Sequence, residues 1–166
     1  MFEIIKATLN HSDDLGYVHA TSWKQAYQGI VPQMVLDQLT PEARAAFFKK
    51  VIPISQHEFY SAYLSDQPVG MISIGKSRDK EVSGDVAEIS TIYCIAAVWE
   101  KGYGRKLMNH AIKRLKDQSF RSVTLWVFEE NKRARKFYEK CGFTFDGTKE
   151  QLAIGGKQLT EIRYVY

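Results

Sequence analysis

Apolar and polar positions alternate with a period of two in some stretches of this chain and recur every three or four residues in others, which predicts strands separated by helices. Phe2 to Ala7 reads as a first strand. Ser12-Asp13-Asp14 supplies a helix cap before a run in which Trp23, Ala26, Tyr27 and Ile30 recur at helical spacing, until Gly29 and Pro32 break it. Thr40-Pro41-Glu42 opens another helix, with Thr40 as cap, Pro41 in the first turn, and Ala43, Phe47 and Val51 on one side. Glu58 to Leu64 and Val69 to Ile74, joined by the turn-rich spacer Ser65-Asp66-Gln67-Pro68, predict an antiparallel hairpin.

Lys76 to Asp85 is polar and is expected to be a mobile loop. Beyond it, a strand-like run from Ala87 to Cys94 leads to Gly102-Tyr103-Gly104 and an amphipathic helix from Arg105, with Leu107, Met108, Ala111, Ile112 and Leu115 as its buried stripe. A strand at Ser122 to Val127, a short helix between Asn131 and Gly142, and a terminal hairpin of Phe143 to Ile154 and Lys157 to Tyr166 follow. Gly155-Gly156 suits the two-residue turn of that hairpin. The pattern predicts an α+β, layered fold with a mixed sheet of about seven strands flanked by helices.

At 166 residues, with 45% hydrophobic and 25% charged residues, the chain fits one domain able to bury a substantial core. Its longest apolar run, Tyr93 to Trp99, is too short to span a bilayer, and the first residues lack the pattern of a signal peptide, so a cytoplasmic location with no membrane partner is expected. Cys94 and Cys141 are expected to be free thiols. His11, His19, His57 and His110 show no metal-ligand spacing, so no metal is expected. Residues 1–85 hold 8 Lys/Arg and 10 Asp/Glu, a net −2, which leaves the second half at +6 of the total +4. A polyanionic cofactor would be drawn to that basic half, although solvated helix faces explain such charges equally well.

Two glycines between a strand and a helix let backbone N–H groups approach a ligand at the positive end of the helix, a place that suits a pyrophosphate. A tight strand-to-helix turn has the same signature. Trp99-Glu100-Lys101-Gly102-Tyr103-Gly104, however, is followed by a strand and then by Asn131 and Tyr138 within Phe137-Tyr138-Glu139-Lys140-Cys141-Gly142-Phe143. In this order of pieces the chain resembles the GNAT superfamily of acetyl-CoA-dependent N-acetyltransferases over about residues 86 to 145. The glycine motif of that family begins with Gln or Arg, where this chain has Trp99; Lys101, Arg105 or Lys106 is the expected compensation.

The resemblance implies a GNAT-like, mostly antiparallel twisted sheet over residues 1–166, with its fourth and fifth strands splayed and the thioester arm of acetyl-CoA in the gap. It implies cofactor contacts from Lys101, Gly102, Tyr103, Gly104, Arg105 and Asn131, pantetheine contacts from Tyr93 and Cys94, and an oxyanion donor near Ile92. It also implies Tyr138 as the acid that protonates the CoA thiolate and Glu88, fourteen residues ahead of Gly102, as a catalytic carboxylate. The bland readings are a core tyrosine on an apolar helix stripe and a solvent-facing strand charge. A phenol is a weaker acid than a thiol, by roughly 2 kcal/mol, so the transfer must accompany C–S cleavage or cations must lower the tyrosine pKa.

Trp23 and Tyr27 either line an acceptor pocket or pack in the core. The implied partner is a small-molecule or peptide amine such as a polyamine, an amino compound or a peptide N-terminus; a homodimer is left open. A non-catalytic acyl-CoA-binding module is the alternative, supported by Trp99. Nucleic-acid binding through Lys113-Arg114 and Lys132-Arg133-Ala134-Arg135-Lys136 is disfavoured, because the motifs already explain those helices.

Overall fold

The computed structural model describes residues 1–166. Seven strands form one sheet: β1 (Phe2–Lys6), β2 (Glu58–Leu64), β3 (Gln67–Lys76), β4 (Val86–Cys94), β5 (Ser122–Phe128), β6 (Thr144–Ile154) and β7 (Lys157–Val165), in the order 1-2-3-4-5-7-6. Every neighbouring pair is antiparallel except β4 and β5, whose parallel pairing needs a crossover, supplied by α4 (Tyr103–Asp117). The other helices are α1 (Ser12–Ala26), α2 (Gln33–Asp37), α3 (Pro41–Val51) and α5 (Lys132–Lys140). The fold is the mixed layered sheet expected from the pattern, mostly antiparallel as the resemblance implies.

Consecutive strand residues point to opposite faces, and the two cores follow from that. Ile72 packs with Ile74, Ala87 and Ile89 against Leu107, Met108, Ala111 and Leu115 of α4, while its neighbour Met71 packs with Leu15, Val18 and Phe48 of α1 and α3. Burying each such leucine contributes about 1.5–3 kcal/mol. α4 therefore cannot shift along the sheet without exposing the stripe that fixes its N-terminus beside β4.

β4 and β5 pair only from Val86↔Ser122 to Glu88↔Thr124. Beyond that, β5 is held by β7 through Phe128↔Glu161 while β4 stays with β3, and the sheet opens into a gap. At the start of the gap the register steps from Ile74↔Ile89 to Ser73↔Thr91, leaving Ser90 as an unpaired bulge residue.

Several elements differ from their sequence-based expectation. α3 is capped by Thr40, whose Oγ1 accepts the Ala43 N–H at 3.2 Å, but it buries Ala45 and Phe48 and leaves Ala43 and Phe47 exposed, because α1 meets α3 along the Ala45 side. α2 is an additional short helix directly after Pro32. Leu64 pairs with Gln67, so the turn of the first hairpin is Ser65-Asp66 alone, both at positive φ. The stretch expected to be mobile is fastened: Asp79 accepts from Trp126 Nε1 at 3.1 Å and pairs with Arg163 at 3.3 Å, and Arg78 pairs with Glu88.

Candidate active site

The approach to α4 winds through left-handed conformations at Glu100 (φ 60°) and Gly102 (φ 84°). The first amide of the region with a backbone acceptor is that of Lys106, which donates to the Gly102 carbonyl at 3.2 Å. None of the backbone N–H groups from Glu100 to Arg105 has an acceptor within the chain, and α4 has no side-chain cap. A Cβ added at Gly102 would meet nothing within 4 Å. Gly102, Gly104 and Arg105 line a cavity of about 490 Å³ that runs into the gap between β4 and β5. A run of free amides at a helix start is an anion-binding concavity, so these residues fit a diphosphate.

The side chains around this run are placed differently. Lys101 turns away and donates from Nζ to the Ala97 carbonyl at 2.8 Å, Tyr103 packs on Phe2 with ring centroids 4.8 Å apart, and the Lys106 ammonium lies over those two rings. Of the three residues expected to compensate for Trp99, only Arg105 lines the cavity, where it also donates to the Lys140 carbonyl at 2.8 Å. A cation that sequence reasoning missed lies nearby. Arg133 of α5 stacks on the Trp99 ring at 3.6 Å, and the indole N–H of Trp99 donates to the Cys94 carbonyl at 2.7 Å.

Ile92, Tyr93 and Cys94 form the β4 wall. The Ile95 N–H bonds to Val69 of β3, so by alternation the backbone N–H groups of Ile92 and Cys94 point into the gap. Burial pushes the Cys94 thiol up to about 11, which makes it a poor nucleophile. On the opposite wall, Asn131 caps α5 by accepting the Ala134 N–H at 3.2 Å, and Tyr138 reaches the same cavity. The Tyr138 hydroxyl makes no hydrogen bond within the chain, although its ring belongs to the main core. Burial raises its pKa, the Tyr93 phenol adds to this, and Arg133 only partly offsets it. Of the two routes open to Tyr138, a phenol pKa lowered by nearby cations is therefore not the one found: desolvation outweighs Arg133. Tyr27 both lines the cavity and packs against Phe128, whereas Trp23 is a packing residue.

Glu88 is not in this cavity. It is 4% exposed, paired with Arg78, and its Oε1 lies 3.3 Å from His57 Nε2. His57 Nδ1 is 3.2 Å from Ser90 Oγ, and Nε2 is 3.0 Å from the Lys76 carbonyl. With a carboxylate and a carbonyl both facing Nε2, the proton belongs there, which leaves Nδ1 to accept from Ser90. The ring lies on Gly75, where an added Cβ would be 2.5 Å from His57 Cδ2. His57, Arg78 and Ser90 line a second cavity of about 450 Å³. The two cavities adjoin along β4: Thr91 lines the second, Ile92 and Tyr93 the first, and His19 of the second packs edge-on against Tyr93 at 5.3 Å. His57 and Ser90 carried no motif; only the bulge makes Ser90 conspicuous.

No group of three or more His, Cys, Asp or Glu side chains is placed to hold a metal ion, and no helix is long and apolar enough to cross a membrane. The basic side chains considered for nucleic acid are partly committed inside the fold, Arg114 to Glu58 at 3.1 Å and Arg135 to the Tyr164 hydroxyl at 3.2 Å.

Residues 13–143 match the family model described as acetyltransferase (GNAT) family. An uncharacterised N-acetyltransferase of Methanocaldococcus jannaschii is 32% identical over 98 residues, which is 58% of this chain and 43% of that protein. A probable N-acetyltransferase of Mycobacterium tuberculosis is 27% identical over 132 residues, 78% of this chain and 72% of the relative. Among solved structures, PaiA N-acetyltransferase from Thermoplasma acidophilum in complex with coenzyme A superposes with a TM-score of 0.76 at 23% identity, over 97% of this chain and 98% of that one. An N-acetyltransferase from Staphylococcus aureus gives 0.77 at 15% identity, over 100% and 98%. Since the family match spans most of the sequence, the chain belongs to the GNAT family of acetyltransferases.

Proposed function

We propose that the protein, acting as one domain, transfers an acetyl group from acetyl-CoA to a primary amine of a small molecule or peptide by direct attack in a ternary complex. The observation that carries this reading is the run of unbonded amides at the start of α4, opening into a cavity that Tyr138 also lines. The thioester supplies the acetyl group: a C–N bond forms to the amine, the C–S bond breaks, the amine gives up a proton and the departing thiolate takes one.

The amides of Gly102, Gly104 and Arg105 hold the diphosphate, and Arg133, propped on Trp99, supplies a cation where the family motif has Gln or Arg. The Ile92 N–H, on the open side of β4, steadies the oxygen that gains negative charge; such a donor is worth about 3 kcal/mol. Tyr93, Cys94 and Asn131 line the path of the pantetheine arm. Tyr138 donates a proton to sulfur, and because its phenol is held above its ordinary pKa, the donation accompanies C–S cleavage. Glu88 accepts the amine proton through the chain Ser90–His57–Glu88 rather than by direct contact. The two free thiols accord with a cytoplasmic setting.

The test is isothermal titration of coenzyme A, followed by thiol release from acetyl-CoA over an amine library. Binding with turnover supports the reading. Binding without transfer to any amine leaves a non-catalytic acyl-CoA module, and no affinity for coenzyme A rejects both.

A further inference from the structure

We propose that the second cavity receives the acceptor and that Arg44 grips an anionic group on it, so that the acetylated amine is a small molecule bearing a carboxylate, of the amino-acid kind, rather than a polyamine. This rests on the acetyl transfer proposed above and adds the class of acceptor.

The cavity is lined by Arg44, Lys76 and Arg78 and by no aspartate or glutamate. Arg78 is neutralised by Glu88, whereas Arg44 has no carboxylate within 4 Å and Lys76 forms no ion pair. Arg44 lies with its guanidinium 4.2 Å from the Phe47 ring and 5.5 Å from that of Phe48, and its Nε is buried without a partner. A half-buried guanidinium with open donors is costly unless something pairs with it, and its planar fork matches a carboxylate. His19 Nδ1 and Thr91 Oγ1, on residues lining the same cavity, are also buried without partners. Three residues that carry unmet polar atoms thus line one space of about 450 Å³, large enough for an amino acid and next to the bulge where Ser90 meets His57. A polycation would meet a basic wall there, with its one nearby carboxylate already paired.

The test uses wild-type protein, acetyl-CoA and a panel of α-amino acids, each beside its methyl ester, with spermidine as the polycation arm. A free acid acetylated with about tenfold to hundredfold higher kcat/KM than its ester is the expected result, as befits one charge-assisted pair. Arg44→Gln should abolish that discrimination by raising KM for the acid, with coenzyme A affinity unaltered in titration. If that variant misfolds, Arg44→Lys, which keeps the charge and loses the fork, should weaken the discrimination. Preference for esters or spermidine, equal loss on acid and ester in the variants, or no acetylated amino acid at all overturns the inference. Coenzyme A binding and turnover on any other amine would leave the wider function standing; loss of both would remove it as well.

Discussion

The guanidinium of Arg133 lies 3.6 Å from the centre of the Trp99 ring, joining the first residue of the glycine motif to the first turn of α5. Trp99 is itself fixed by its hydrogen bond to Cys94, so the stack positions a cation at the mouth of the cavity. Arg133→Met should raise the dissociation constant for coenzyme A by about tenfold to hundredfold, less at high salt, with Tm little changed. Titration at two ionic strengths checks this; an unaltered constant would make the stack a packing contact only.

Tyr138→Phe should lower kcat by about a hundredfold or more and leave the coenzyme A dissociation constant and Tm unchanged, since the hydroxyl has no partner in the chain to lose. Because burial raises this pKa, the phenol stays protonated through neutral and mildly alkaline pH. The wild-type rate should therefore show no alkaline fall assignable to Tyr138 below about pH 10. Pre-steady-state thiol release alongside titration separates the chemical step from binding.

Gly75→Ala would push a methyl group into the His57 ring, at 2.5 Å from Cδ2. Since β3 is held on both sides by β2 and β4, the imidazole is what moves, and with it the bond to Ser90. Displacing such a group by an ångström can cost about a hundredfold in rate. The variant should turn over acetyl-CoA far more slowly while binding coenzyme A normally; wild-type turnover would remove His57 from the proton path.

How much of this was legible depended on how local each signal was. The α4 stripe, the Thr40 cap and the Gly155-Gly156 turn depend on residues within a few positions of one another, and they stand where the periodicity placed them. Asn131, which caps α5, and Tyr138 within that helix line one cavity. Glu88 was conspicuous, but its partners Arg78 and His57 are set by strand pairing across β3 and by the bulge at Ser90, which no alternation of residue types reveals. Arg133 read as one of a run of basic residues, because only tertiary contact brings Trp99 beneath it. The face chosen by α3 likewise depends on α1.

His19 carries a prediction whose sign follows from burial. It is 6% exposed, and burial first, with the Arg44 charge second, lowers its pKa from 6.5 to about 3. Below pH 6.5 the unfolded chain takes up a proton that the folded chain refuses until about pH 3, so the stability is complete above 6.5 and is lost as pH falls towards 3. The slope is at most about 1.4 kcal/mol per pH unit. Between pH 7 and pH 5 the wild type should lose about 2 kcal/mol more than His19→Gln in urea unfolding. Parallel losses would mean that the imidazole is protonated in place; a neutral His19 ring through pH 5 by NMR would show that this residue adds no charge beside Arg44 in the wall of the second cavity.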